Sequence, residues 1–285
     1  MALSYCIDAN SKRTCPGRAG TTKVHYSRTL VCGYNGSMRQ AWIAFIALTS
    51  TSLPATAQHT TAHWEYEGAS GPSHWGALDK TYKTCGVGKA QSPIDIRDAK
   101  AEDLPPITFF YQASPLRLID NGHTIQVNYA PGSFITVGDQ KYELQQFHFH
   151  HPAEEMIAGK SYPMVAHLVH KNAEGKLAVV AVLLTEGPAN SVMEKLWSHL
   201  PPAQGKEATA KGVSIDVTNL LPSTRGYFTF IGSLTTPPCT EGVRWFVLKT
   251  PLHISRSEIA VFAQKYPHDA RPVQPVNGRV VSETK

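Results

Sequence analysis

The segment Gln146-Phe147-His148-Phe149-His150 decides how this chain folds and what it can bind. Its alternation is typical of a β-strand, in which successive side chains point to opposite faces of the sheet. His148 and His150 then share one face, while the two phenylalanines pack on the other. Two imidazoles on one face of one strand are well placed to hold a single metal ion.

A third histidine of the same kind stands in the apolar segment from Met164 to His170. The 16 residues between His150 and His167 are enough to bring this segment alongside the first as an antiparallel strand. His151 is one residue from His150, and His170 is three residues from His167. Because both spacings are odd, their side chains are expected to face away from the metal. A buried histidine is also commonly an ordinary hydrogen-bonded core residue, and spacing alone leaves that alternative open.

The number of facing histidines bears on the kind of site. Catalytic zinc takes three protein ligands and keeps a fourth position for water, whereas a closed set of four ligands is structural. His148, His150 and His167 therefore predict an open zinc site. A cupin-type metal oxygenase is an alternative, but it would require a carboxylate ligand and a redox metal.

The remainder of the chain predicts a mainly β, β-rich α+β fold. Runs of β-branched and aromatic residues bounded by Gly, Pro, Asn or Asp indicate strands. They are residues 107–111, 116–119, 124–129, 134–137, 142–150, 165–170, 177–184, 227–231 and 243–248. Helical spacing begins at Asn190 or Ser191 and includes Leu200, and Ser255-x-x-Glu258 opens a second helix through Phe262. We expect one domain on a large, mostly antiparallel twisted sheet with a few peripheral helices.

Composition and charge exclude several functions. With 42% hydrophobic and 17% charged residues in 285, the chain can bury a core. The net charge of +5 is confined to residues 1–57, which hold six basic residues and one acidic residue. The rest carries 21 basic and 21 acidic groups, so no nucleic-acid or anionic-membrane partner is expected.

The first 57 residues are typical of an export leader. The apolar run Ala41 to Leu48 follows Arg39 and precedes Ala55-Thr56-Ala57, a small-x-small cleavage pattern. Eight residues are too few for a membrane span, which needs roughly 20, and a buried helix is the alternative. We expect residues 1–37 to be a mis-assigned start or dispensable extension, 38–57 a signal peptide, and 58–285 the exported domain, periplasmic or secreted.

Cysteine positions agree with export. Three of the five cysteines lie in the leader, which leaves Cys85 and Cys239 as the pair in the body. One disulfide is expected in an oxidising compartment, with two buried free thiols as the alternative.

Six motifs occur in order along the body: QSPIDI (91–96), NGH (121–123), QFHFH (146–150), AHLVH (166–170), SLTTPP (233–238) and RPVQPV (271–276). Together they resemble the α-class carbonic anhydrases, in particular the bacterial secreted branch, over about residues 63–280. The resemblance implies reversible hydration of carbon dioxide to bicarbonate and a proton, by attack of zinc-bound hydroxide. It also implies sulfonamide-type and anion inhibitors, and a homodimer is possible.

The resemblance assigns roles to individual residues. His148, His150 and His167 match the zinc ligands, Thr235 the threonine that orients the hydroxide, and Glu154 the carboxylate that accepts the threonine proton. His123 matches the proton shuttle. The carbon dioxide pocket corresponds to Val169, Val179, Leu234, Thr236, Val243 and Trp245, and the polar wall of the cleft to Tyr66, Asn121, Gln126 and Gln146. Cys85 and Cys239 match a family disulfide, and Ser92-Pro93 and Pro237-Pro238 fall where the family uses cis peptides.

The sequence departs from the family at one position near the metal. The family usually has a glutamate two residues before the third ligand, and this chain has Val165 there. Loss of such a partner predicts looser zinc or reduced turnover unless another group substitutes, and Val165→Glu would then strengthen zinc retention. Glu155 is the neighbouring alternative to Glu154 as the acceptor of the threonine proton, but it is expected to be a surface carboxylate.

A binding function is the alternative to catalysis. The same fold could serve as a catalytically silent binding or structural domain, because fold does not dictate function. Such domains usually lack a metal histidine, whereas all three are present here.

Overall fold

A computed structural model describes residues 62–285 of the chain. These residues belong to one compact unit, Gln58–Lys285. The expected signal peptide and the extension before it lie outside the described residues. Of the helices in residues 62–285, none is long and apolar enough to cross a membrane.

Strands dominate the described part of the chain. They are β1 (Asp95–Ile96), β2 (Lys100–Glu102), β3 (Ile107–Phe110), β4 (Ser114–Asp120), β5 (Ile125–Asn128), β6 (Phe134–Val137), β7 (Gln140–His150), β8 (Met156–Ile157), β9 (Met164–Lys171), β10 (Leu177–Glu186), β11 (Glu207–Ile215), β12 (Tyr227–Ser233), β13 (Glu241–Leu248), β14 (Leu252–Ile254) and β15 (Ser282–Thr284). All nine strands expected from β-branched and aromatic runs are confirmed.

Helices are few and short. The α-helices are α1 (Trp75–Leu78), α2 (Thr84–Val87), α3 (Ser191–Trp197) and α4 (Arg256–Lys265), and single 3-10 turns cover Gly68–Ser70, Lys80–Tyr82 and Val217–Leu220. Asn190 caps α3 through its side chain, which accepts from the backbone of Val192. Ser255 and Glu258 form the expected capping box of α4. Both expected helices are therefore confirmed, although α3 ends before Leu200.

The large sheet places the histidine strands at its centre. Its order is β11-β4-β5-β7-β9-β10-β13-β12-β15-β2, with β3, β6 and β14 attached at the sides. Most neighbours are antiparallel, and β10 with β13 is a parallel exception. The sheet therefore has the mostly antiparallel character that the sequence predicts.

Each face of the central strands packs on a different core. On β9, Val165 belongs to one buried cluster with Val179 and Trp245, while Leu168 belongs to another with Phe147. The division follows side-chain parity, because neighbours along a strand point to opposite faces. The two histidine strands are thus held from both sides.

A few strands carry no signal in the sequence. Strand β11 is largely exposed and reads Glu-Ala-Thr-Ala-Lys-Gly-Val-Ser-Ile, and β2 is exposed throughout. They form because β4 and β15 offer free edges to pair with. Strand propensity depends on such neighbours as much as on residue type.

The expected disulfide links helix α2 to the loop that follows β12. Cys85 and Cys239 are bonded across 154 residues of sequence, and both are buried beside Trp75 and Tyr82. The Ser92-Pro93 and Pro237-Pro238 peptides are cis, as expected, and His151-Pro152 is cis as well. The disulfide thereby ties down the loop that carries Thr235.

Candidate metal centre

Three histidines meet on one face of β7 and β9. His148 and His150 stand two residues apart on β7, and His148 is paired directly with His167 across the antiparallel ladder. One potential ligand atom from each of the three lies within 4.8 Å of the others. The expected pairing of the two strands is therefore confirmed.

The other two histidines of these segments face elsewhere. His170 is fully buried on the opposite face of β9, where its Nε2 lies 2.8 Å from the hydroxyl of Tyr111. His151 follows β7, and its Nδ1 donates to the carbonyl of Pro267 at 2.8 Å. The sequence prediction that both turn away from the metal site is confirmed.

Each of the three clustered imidazoles uses one nitrogen to donate a hydrogen bond to a different acceptor. His148 Nδ1 donates to the side-chain oxygen of Gln146 at 2.8 Å, and His150 Nδ1 donates to the carbonyl of Asp269 at 2.7 Å. His167 Nε2 donates to Oε1 of Glu155 at 2.9 Å. The nitrogens left with free lone pairs are therefore Nε2 of His148, Nε2 of His150 and Nδ1 of His167.

Some buried polar atoms around the cluster have no hydrogen-bond partner among residues 62–285. Nε2 of His150 and Oε2 of Glu154 are both buried without a hydrogen bond, and they lie 3.6 Å apart. Buried polar groups are normally paired, so such orphans call for a missing partner. Three convergent imidazole lone pairs beside carboxylates form a donor set that fits a divalent cation.

The surroundings shift the ligands' pKa values in different directions. Burial, reinforced by His150 and His167, lowers the pKa of His148 well below its ordinary value. Burial also opposes charge on His150, but the carboxyl groups of Glu154 and Asp269 outweigh it and raise its pKa. Burial raises the pKa of Asp269 to about 7, against the pull of His150. The carboxyl groups behind the imidazoles therefore favour a positive charge at the site.

Glu155 is not a surface residue, and that expectation from the sequence is wrong. Its side chain is fully buried and holds His167. The reason is the short bridge from β1 to β8: Met156 donates its backbone N–H to Ile94, which pulls this loop under the sheet.

The imidazoles lie at the floor of a cleft of about 170 Å³. One row of paired residues runs across the sheet from Gln146 on β7 through Val169 and Val179 to Trp245 on β13. It gives the cleft an apolar side, which Leu234 extends.

Comparison with known proteins agrees with this geometry. The sequence model of the eukaryotic-type carbonic anhydrases matches residues 70–285. A carbonic anhydrase from Klebsiella pneumoniae is 47% identical over 240 residues, which is 83% of this chain and 96% of that protein. The chain belongs to the α-class, or eukaryotic-type, carbonic anhydrases.

Solved structures of carbonic anhydrases share the fold. A hyperthermostable carbonic anhydrase from a hydrothermal vent chimney superposes with a TM-score of 0.76 at 44% identity, covering 78% of this chain and all of that chain. An α-carbonic anhydrase from Thermovibrio ammonificans, solved with the inhibitor sulfanilamide, has a TM-score of 0.75 at 41% identity, with 79% and 99% covered. The α-carbonic anhydrase fold expected from the motifs is therefore confirmed.

The carbonic anhydrase cleft collects nearly all of the residues that the motifs single out. Its lining includes the three ligand candidates and Tyr66, Asn121, His123, Gln126, Gln146, Val169, Val179, Leu234, Thr235, Thr236 and Trp245. Val243 instead lies 2% exposed in the adjoining core cluster, two residues before Trp245 on the same face of β13. It belongs to the same buried cluster as Val179 and Trp245, which do line the cleft.

Thr235 and Glu154 are brought to the site but not to each other. Thr235 lines the cleft, while Glu154 is buried behind the imidazoles, where its Oε1 accepts from the backbone N–H of Arg271 at 2.8 Å. Oε2 of Glu154 has no hydrogen-bond partner. Within residues 62–285, the expected Thr235–Glu154 hydrogen bond is therefore not formed, and it stays a prediction.

His123 lies at the rim of the cleft. Its ring stacks on Trp64 with centroids 3.7 Å apart and an angle of 9°, and the ring of His63 lies 6.2 Å away. Burial, with a smaller contribution from His63, lowers the pKa of His123, while Glu65 opposes the shift. The side chain is thus a neutral base near pH 7, with an aromatic platform beneath it.

Several functional contacts escaped sequence reasoning. The carbonyl of Asp269 and the carboxylate of Glu155 hold ligand imidazoles, and Trp64 and Thr124 line the cleft. The contact between Gln146 and His148 was predictable, because Gln146 stands two positions before His148 on the same strand face. A backbone carbonyl carries no side-chain signal at all.

Proposed function

We propose that this chain catalyses the zinc-dependent, reversible hydration of carbon dioxide to bicarbonate and a proton. The observation that carries the proposal is the convergence of His148, His150 and His167 within 4.8 Å at the floor of a cleft with one apolar wall. Three ligands leave one coordination position open, as catalytic zinc requires.

The ligand atoms follow from the hydrogen-bond pattern. Nε2 of His148, Nε2 of His150 and Nδ1 of His167 are the nitrogens whose lone pairs remain available. Zinc, when bound, lowers the pKa of a coordinated water to about 7, a value established for this family, and so supplies a nucleophile at neutral pH. The chain's other residues then orient the nucleophile, hold the substrate and remove a proton.

Thr235 is proposed to orient the nucleophile. A hydroxyl accepts a hydrogen bond in a defined direction only when its own proton is committed to another acceptor. Glu154 Oε2 is a carboxylate oxygen without a partner, so it can take that proton. The role predicts a Thr235–Glu154 hydrogen bond in the zinc-loaded protein.

The apolar wall is proposed to hold carbon dioxide. The molecule has no dipole and makes no strong hydrogen bonds, so its affinity must come from contact with apolar side chains. Val169, Val179, Leu234 and Trp245 line the side of the cleft next to the imidazoles. Thr236 is assigned to the same pocket, and Asn121 and Gln126 give the cleft polar groups.

His123 is proposed to carry the proton to solvent. A neutral imidazole can accept a proton from ordered water, and its protonated form can release it to buffer. The stacking on Trp64 and the position at the rim suit a group that exchanges between water inside and outside the cleft.

Export to the periplasm or the medium is part of the proposal. The Cys85–Cys239 disulfide suits an oxidising compartment. The composition of residues 38–57 suits a signal peptide.

The test combines metal analysis with a hydration assay. Purified protein is expected to contain one zinc per chain and to hydrate carbon dioxide in stopped-flow measurements. A sulfonamide, whose deprotonated nitrogen can ligate the metal, is expected to inhibit it, as sulfanilamide is described as an inhibitor of the Thermovibrio enzyme. Zinc-loaded protein with no activity above buffer would contradict the proposal and favour a silent binding domain.

A further inference from the structure

The third ligand candidate, His167, has an unusual partner. On strand β9, the residue two positions before His167 and on the same face is Val165, an apolar side chain that is fully buried. Val165 packs with Ile94, Ala153 and Tyr162. Its side chain has no atom that could accept a hydrogen bond from the imidazole, so this face of the strand leaves His167 without a side-chain acceptor.

The acceptor is instead Glu155, in the loop between strands β7 and β8. Oε1 of Glu155 lies 2.9 Å from Nε2 of His167, and both side chains are at most 2% exposed. Backbone hydrogen bonds fix the loop on either side, from Ala153 to the carbonyl of Tyr162 at 3.0 Å and from Met156 to that of Ile94 at 3.3 Å. The carboxylate is therefore held in place by the fold.

Among residues 62–285, the Glu155 carboxylate makes no hydrogen bond other than the one to His167. Its second oxygen, Oε2, is buried without a hydrogen bond, and within residues 62–285 its one ion-pair contact is with His167. A buried carboxylate without a cation is costly, and such groups are normally paired or placed next to a metal. Its placement is explained if it works through the imidazole on a divalent cation.

We propose that Glu155 is the positioning residue of the third zinc ligand and compensates for Val165. By accepting the Nε2 proton of His167, it selects the tautomer whose Nδ1 lone pair faces the metal and makes that nitrogen a stronger donor. Carboxylates that hold metal-binding histidines in this way typically change metal affinity about 10- to 100-fold. The inference rests on the proposed zinc site and adds the group that secures one of its ligands.

It reverses the expectation drawn from Val165 alone. His167 already has an acceptor, so Val165→Glu is not expected to slow zinc release. It would place a second carboxylate in the apolar cluster next to Glu155, where like charges repel.

The test measures zinc release into a chromophoric chelator from the zinc-loaded protein. Glu155→Ala is expected to release zinc about 10- to 100-fold faster than the wild type, and Glu155→Gln, which keeps an acceptor oxygen but loses the charge, is expected to fall between the two. Glu258→Ala is the matched control, because Glu258 is also buried but caps helix α4. It is expected to lower the melting temperature without changing the release rate.

A second readout follows the hydrogen bond itself. The Nε2 proton of His167 in the zinc-loaded wild type is expected far downfield in the proton NMR spectrum and protected from solvent exchange. It is expected to move upfield and lose protection in Glu155→Ala but not in Glu258→Ala. A role for Glu155 in folding alone would leave this proton unmoved in molecules that remain folded.

The outcomes separate this inference from the proposed function. A wild type without zinc or hydration activity would contradict the proposed function. A zinc-loaded, active wild type whose Glu155→Ala variant releases zinc within twofold of the wild-type rate would overturn the inference alone. Equal acceleration in Glu258→Ala, or slower release in Val165→Glu, would overturn it as well.

Discussion

The two faces of strands β7 and β9 carry the same residue type in opposite settings. On one face, His167 is buried beside two other imidazoles and the carboxylates of Glu154 and Glu155. On the other, His170 is equally buried, but its neighbours are apolar side chains and the hydroxyl of Tyr111. Burial lowers the pKa of His170 to about 3, and backbone groups of Leu168 and Ala178 offset only part of that shift.

The comparison shows that burial does not make a histidine a ligand. Both residues belong to one strand, three positions apart, and both are nearly inaccessible to solvent. The difference is that one face presents convergent lone pairs and carboxyl groups, while the other presents an apolar core in which His170 contacts the hydroxyl of Tyr111. Substitutions confined to one face at a time therefore separate the two settings.

The largest effect is expected from removing a ligand. His150→Ala is expected to lose bound zinc and to reduce carbon dioxide hydration by more than about 100-fold, beyond the range for loss of a ligand's hydrogen-bond partner. Metal analysis and stopped-flow assays measure both. His151→Ala is the matched control, because its side chain faces away and holds the carbonyl of Pro267. Full zinc content in His150→Ala would refute the ligand assignment.

A substitution on the apolar face is expected to lower the stability of the protein rather than its zinc content. Phe147 is fully buried between His148 and Gln146 in sequence but packs in the opposite core. Phe147→Ala is expected to lower the free energy of unfolding by about 3 to 5 kcal/mol, the usual cost of such a cavity. Denaturant titration measures the loss, and zinc content per folded chain should stay at one. Coupled loss of zinc would show that the faces are not independent.

A substitution at the rim of the cleft is expected to slow proton transfer. His123→Ala is expected to lower the hydration rate in weak buffer by about 100-fold, within the range for general acid–base groups. Added imidazole should restore much of the rate, because it carries the same proton through solution. His63→Ala, 6.2 Å away between ring centres, is the comparison and should have a smaller effect. An unchanged rate in His123→Ala would exclude the shuttle role.

The smallest effect concerns His170 in acid. Its pKa in the folded state is about 3, below the ordinary 6.5. Between these two pH values the histidine is protonated in the unfolded chain but neutral in the folded protein. Its contribution to stability is therefore complete above pH 6.5 and is lost as the pH falls toward 3. Between pH 7 and 5 the loss amounts to about 2 kcal/mol.

The variant His170→Gln isolates this contribution, because glutamine does not titrate. Urea titrations of both proteins at pH 7 and pH 5 should show a shallower decline in the variant. Parallel declines would mean that His170 is charged in the folded protein or that its environment is more polar than the apolar core around it.

Much of the site was predictable from local sequence patterns. The alternation around His148 and His150 predicted a strand, and parity correctly excluded His151 and His170. Two cysteines in the body predicted the disulfide. Each of these inferences needs only the twofold period of a strand or a count of residues.

The contacts that hold the imidazoles were less predictable. Asp269 reaches His150 across 119 positions through its backbone carbonyl, whose chemistry is the same in every residue. The edge strand β11 was missed because its residues are polar and it pairs only with what β4 offers.

Sequence alone determined which histidines share a face, since covalent geometry makes side chains alternate along any extended strand. Tertiary structure decided which carboxylate serves the third of them. Glu154 and Glu155 are chemically alike and adjacent in the chain, so no local pattern distinguishes them. Only the folding of their loop beneath β9 brings Glu155 against His167 and leaves Glu154 facing the backbone of Arg271.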